Sequence, residues 1–175
     1  MAEIIKVYKQ KVPAMRFIGK KYGDEDRAGG SFGAKWGEWF GNGWFDAIEQ
    51  AAGGASVCHE LYEDGDAYIG LMRDKDGEPF QYWIGMFVPC GTAVPDGFEC
   101  LNFPEASLGT AWVYGDEGDV YCHEPECMTA LKKAGYEVMR DSENALWCME
   151  RYGCPRFTTP DEKGKIILDI CAFIK

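Results

Sequence analysis

The sequence predicts an α+β fold: a duplicated β-α-β-β unit whose strands join into one antiparallel sheet, with two helices on one face and a central ligand cleft. Three observations predict it. The chain has 175 residues, a length that suits one domain with its own core. Segments of strand-like and helical spacing follow one another in the same order twice. Three stretches of the first half also echo three of the second in sequence order: 14–23 with 106–115, 67–73 with 145–151, and 84–87 with 170–173. Repeated order of this kind is the mark of a duplicated unit, here from about residue 5 to 89 and from about 98 to 175. Two such units bury their helices on one sheet face and leave a cleft where they meet.

Each element has its own signal. Met15 to Tyr22 reads as a strand. From Phe32 to Gln50, Trp36, Trp39, Phe40 and Trp44 recur at the i, i+3, i+4 spacing of a helix whose rings face the sheet. Gly37, Gly41 and Gly43 weaken that helix or break it in two. The preceding Gly29 to Gly33 lacks the Lys-Ser/Thr of a phosphate-binding loop and reads as a plain loop. Ala67 to Arg73 and Phe80 to Val88 are strand-like, joined across the hairpin signal Asp76-Gly77. In the second half come a strand from Ser107 to Tyr114, a helix from Glu124 to Ala134, and strands from Ala145 to Tyr152 and from Lys165 to Ile174. Glu124-Pro125 suits a helix start and Gly135 a stop.

Charge narrows the function classes. Eighteen Lys and Arg against 29 Asp and Glu leave a net charge of −11, and no basic run is longer than Lys20-Lys21 or Lys132-Lys133. Direct nucleic-acid or anionic-membrane binding is therefore not expected, whereas a cationic ligand or partner is. Without a long apolar window or a secretory signal, a cytoplasmic location is expected. Most of the eight cysteines then read as reduced, with Cys148 and Cys171 as small hydrophobes in apolar strands. Cys122-His123 and Cys127 lack zinc-site spacing, so neither a metal nor a cofactor is expected.

One acid stands out. In the strand 145–152, Glu150 shares its face with Leu146, Cys148 and Tyr152. A carboxylate among apolar neighbours has a raised pKa, and an incoming cation lowers it again, so such a site favours positive ligands. The alternative is a solvated edge position, or bonding to Arg151 or to tyrosine hydroxyls. On the internal alignment the same face of the first half carries Tyr68, Gly70 and Met72. Trp83 and Phe87 are expected on that face too, with Trp112 and Trp147 as further candidates, because aromatic faces attract desolvated cations. Tyr82 and Ile84, of the other parity, are expected to meet the helices.

Tyr82–Pro89, Val94–Glu99 and Ser107–Gly115 together resemble the middle of a GyrI-like domain, the effector-binding domain of AraC-type regulators. Met149–Pro155 resembles that family's Glu-x-Tyr segment and Ile167–Ile170 its last strand. The likeness runs over nearly the whole chain in the right order. It implies a duplicated β-α-β-β fold that senses hydrophobic, often cationic compounds in an aromatic pocket, with Glu150 in the place of the glutamate at its base. No DNA-reading domain is expected in this length, so a stand-alone sensor or sequestering protein, monomer or homodimer, is the leading reading. Two alternatives come with the resemblance. One is a hydrolase of cyclopropane-containing alkylating natural products, with Glu150 and Tyr68 as the reacting groups. The other is a protein-interaction inhibitor of DNA gyrase.

Overall fold

The computed structural model describes every residue, Met1–Lys175. The elements in chain order are β1 (Glu3–Val12), β2 (Met15–Tyr22), α1 (Gly33–Gly41), α2 (Trp44–Ala52), α3 (Ala55–Leu61), β3 (Tyr68–Asp74), β4 (Gln81–Pro89), β5 (Glu99–Phe103), β6 (Ala106–Gly115), α4 (Glu124–Lys133), β7 (Leu146–Tyr152) and β8 (Ile166–Ile174). All eight strands lie in one sheet, in the order β1-β6-β8-β7-β3-β4-β2-β5, and every strand pair is antiparallel. The order reads as a palindrome. Exchanging β1 with β5, β2 with β6, β3 with β7 and β4 with β8 reverses it, and the β7–β3 pair lies at its centre.

The strands and helices expected from periodicity form within a residue or two of their expected ends, and three further elements accompany them. β1 and β5 are edge strands, each pairing with the other half: β1 with β6, β5 with β2. The sequence of β1 hides it, because half of its residues are exposed and it carries Lys6, Lys9 and Lys11, as edge strands do to resist further pairing. The helix expected over 32–50 ends at Gly41 and restarts at Trp44, with Gly43 in the left-handed region (φ 65°) between them, so the glycines do break it. A third short helix, α3, follows.

Register corrects one of the internal echoes. Val12 pairs with Ala106 and Phe103 with Met15, so Met15 corresponds to Ala106, and the alignment of Ala14 with Ala106 is one residue out. A slip of one residue exchanges the two faces of a strand.

The helices cover only the outer strands. Trp39, Phe45, Ile48 and Cys58 pack on Ile18, Ile84, Met86 and Val88, and Cys127 packs on Ala111, Val113, Leu168 and Ile170. Between these blocks the helix-side face of the central β3–β7 pair stays open.

The other face is closed by the sheet's own curl. Phe103 of edge strand β5 lies 5.3 Å from Trp147 and 5.2 Å from Phe173, ring centre to ring centre, over a core containing Phe17, Leu71, Trp83, Phe87 and Met149. The opposite edge reaches in with polar groups. Fully buried Arg151 donates to Asp169 (2.9 Å), to Gln10 (2.7 Å) and to the Tyr8 hydroxyl (3.0 Å). Arg156 bridges Asp169 to Asp64, which it grips with both terminal nitrogens at 2.8 and 2.9 Å. Two arginines and two aspartates thus balance one another in a buried network.

Candidate functional site

The gap between the helix blocks is a cavity of about 750 Å³, within the size range of small-molecule sites. Its floor is the open centre of the sheet: Tyr68 and Met72 of β3, Tyr82 of β4, and Glu150 and Tyr152 of β7. Phe32, Trp36 and Phe40, spaced four residues apart, form a wall from the start of α1. Tyr121, Cys122 and Glu124 come from the approach to α4, and Phe157 from the loop after β7.

Glu150 is only 9% exposed, and no lysine, arginine or histidine pairs with it. Its Oε2 accepts from the Tyr82 hydroxyl at 2.8 Å and from the Tyr152 hydroxyl at 3.0 Å. Trp36 in turn donates from Nε1 to the Tyr82 oxygen at 3.0 Å. Oε1 carries no hydrogen bond. Gly70 stands opposite Glu150 on β3, and a Cβ there would lie 2.4 Å from the Tyr82 hydroxyl and 2.8 Å from Glu150 Oε2. The glycine is thus what leaves room for the carboxylate.

Burial raises the Glu150 carboxyl to about 7, with the nearby Glu124 charge adding to the rise and the two tyrosine hydrogen bonds opposing it. Burial and the Glu150 charge hold both the Tyr82 and Tyr152 hydroxyls well above their ordinary range, so both stay protonated donors. The floor can therefore shelter a neutral carboxyl near neutral pH, or a carboxylate if a cation arrives.

The walls are aromatic and ordered. Phe32 lies flat on Tyr82 (4.1 Å, 4°), and Trp36 and Phe157 both meet Tyr152 edge-on, at 4.8 and 4.7 Å. Tyr68 stacks on Phe45 at 3.7 Å and donates to Glu49 at 3.5 Å. Burial and Glu49 push its hydroxyl up to about 12.

Of the residues expected at the site from sequence, Glu150, Tyr68 and Met72 meet in the cavity. Trp83, Phe87 and Trp147 do not: their side chains lie in the core on the opposite face. Trp112 is on that face too, against Tyr8. Tyr82 and Ile84 meet the helices as expected, together with Met86 and Val88. The expectation that Trp83 and Phe87 share the face of Glu150 is thus overturned: Glu150 lies on the helix side, where the cleft opens between the helix blocks. Arg151 is likewise no partner of Glu150, because neighbours on a strand point to opposite faces.

Phe32, Trp36, Phe40 and Tyr82 also line the cavity, though the sequence does not point to them as site residues, and Tyr152 joins them from the face it shares with Glu150. Trp36 and Phe40 were expected to face the sheet, yet Trp36 lines the cavity and Phe40 is 61% exposed at its mouth. The i, i+4 run of Phe32, Trp36 and Phe40 is a separate stripe from fully buried Trp39, and that division was the available signal. No group of three or more His, Cys, Asp or Glu is arranged to hold a metal ion.

The sequence matches no protein-family model and no curated relative. The fold, however, has solved neighbours. SAV2435 bound to tetraphenylphosphonium superposes with a TM-score of 0.64 at 12% identity, over 98% of this chain and 94% of that one. A protein of Staphylococcus aureus MU50, provisionally named a bacterial transcription regulation protein, gives 0.61 at 13% identity, over 98% and 99%. EcmrR, in a complex with DNA, gives 0.56 at 12% identity, over 97% of this chain and 57% of that one. At these identities the likeness is one of fold alone. No helix is long and apolar enough to cross a membrane.

Proposed function

We propose that this chain is a GyrI-like effector-binding domain that takes up hydrophobic, aromatic or cationic compounds in the cleft, acting as a sensor or sequestering protein in the cytoplasm. One observation carries the reading: a buried carboxylate without a cation, held by two tyrosines on the floor of an aromatic-walled cavity. A bound cation supplies the missing partner, and stacked rings give it a favourable face. The tetraphenylphosphonium held by SAV2435, a protein of the same fold, supports the same ligand class.

The test uses the reporter already in the wall. Tryptophan fluorescence, to which Trp36 contributes from the cavity wall, is titrated with tetraphenylphosphonium and with neutral triphenylphosphine oxide, in the parent protein, in Trp36→Phe and in Glu150→Gln, and each compound is then recovered for mass analysis. The charge lost in Glu150→Gln weakens the cation by at least about tenfold, or ~1.4 kcal/mol, and leaves the neutral compound within about twofold. Equal losses for both, or no saturable signal from either, would overturn the reading.

A second reading draws on the same geometry. A carboxyl held near 7 and bonded to tyrosine hydroxyls suits general acid–base catalysis. If a cyclopropane-bearing electrophile were recovered with the mass of one added water, and intact from Glu150→Gln, the chain would be a hydrolase.

A further inference from the structure

The cleft contains a second acid. Glu124 opens α4 and lines the cavity on the wall facing α1. It is half-buried, makes no side-chain hydrogen bond or ion pair, and caps nothing in its own helix. Its charge reaches the floor, where it helps to raise Glu150 and Tyr82.

The remaining charges of the cleft do not neutralise it. Arg27, the one base in the lining, is paired with Asp24 at 2.9 Å and lies over Phe32. Glu117 is exposed at the rim, where solvent screens it. The cavity therefore has two unpartnered carboxylates in different places: Glu150, nine-tenths buried on the floor with Oε1 unbonded, and Glu124 on the side wall. Two like charges facing one cavity without a cation raise each other's energy, and one cation on the floor relieves only one of them.

Resting on the ligand reading above, we infer that the cleft selects flat aromatic dications, with Glu150 holding one positive centre on the floor and Glu124 the other on the α4 wall. The aromatic frame between the charges lies against Trp36 and Tyr152. Glu124 is on this account a specificity-determining residue: it discriminates by ligand charge.

Ethidium and propidium are a matched pair of probes. They share one phenanthridinium ring, and propidium adds a second quaternary ammonium on a short arm. Dye fluorescence is titrated at low salt with the full chain and with Glu124→Gln, Glu150→Gln and Glu126→Gln. Glu126 neighbours Glu124 on α4 but lies outside the cavity, so its variant removes equal charge without touching the site. Propidium should bind about five- to tenfold tighter than ethidium. That preference should vanish in Glu124→Gln with ethidium little changed, persist in Glu126→Gln, and be accompanied in Glu150→Gln by a loss for both dyes. Equal binding of the two dyes, or a preference that survives Glu124→Gln or falls equally in Glu126→Gln, overturns the inference while the small-molecule reading stands. Binding of neither dye to the folded protein would overturn both.

Discussion

Glu150 owes its properties to the residues around it. Its carboxyl titrates near 7 against about 4.5 in the unfolded chain, so the folded state binds the proton more tightly. The stability it contributes is therefore fully present below the unfolded value and is lost as pH rises through 7. Glu150→Gln, whose amide oxygen still accepts from the two tyrosines, should match the parent protein near pH 4 and exceed it by on the order of 2–3 kcal/mol at pH 8. Urea denaturation at the two pH values measures this, and a constant difference would contradict the raised pKa. Gly70→Ala tests the space beneath the acid. Its Cβ would press on Tyr82 and Glu150, and a loss of about 1–3 kcal/mol is expected, with weaker ligand binding. Tyr82 was legible in the sequence as a helix-side residue, but its bond to Glu150 was not. Side-chain pairs formed across non-adjacent strands leave no trace in local spacing.

At the scale of elements, α1 is the least self-sufficient part of the fold. It has nine residues, three of them glycine, and no side-chain cap at its start. A Cβ at Gly37 would meet nothing within 4 Å, so packing does not demand the glycine. Gly37→Ala should therefore stabilise the protein by about 0.5–1 kcal/mol, read as a higher urea midpoint at unchanged slope. A destabilised Gly37→Ala variant would mean that α1 has a neighbour the fold does not show. The helix was legible from its aromatic spacing and its break from its glycines. Which ring faces the cleft was legible only in part: Trp36 falls in one stripe with Phe32 and Phe40, apart from Trp39, but the position of the open floor decides which stripe meets the cleft.

For the whole molecule, the sheet face away from the helices closes on itself and so needs no second layer. Phe103 closes it from one edge, and Arg151 ties the other edge, β1, to β7 and β8 through Tyr8, Gln10 and Asp169. Arg151→Met removes one arm of this network and should cost about 3–5 kcal/mol, measured as a fall in the urea midpoint near pH 7. A fall of under 1 kcal/mol would show that Arg156 holds Asp169 unaided. The network also sets the acid limit. Although burial opposes it, the Arg156 hydrogen bonds and the Arg151 and Arg156 charges hold the Asp64 carboxyl below its ordinary range. Its contribution is thus present above the unfolded value and lost as pH falls below about 4, the opposite sense to Glu150.

Order along the chain determined the α+β class, the repeated β-α-β-β succession and the core strands β3, β4, β7 and β8, because alternation and turn residues are local properties. Glu150 was also legible, since an acid in an apolar strand face is visible without any partner. Only the tertiary structure decided which side of the sheet the cleft opens on and which aromatics line it. Parity sorts a strand's residues into two faces, but where helices leave a face uncovered depends on how far each block extends over the sheet. Here both blocks stop short of the central β3–β7 pair, and that gap, set by packing across the whole molecule, makes the site.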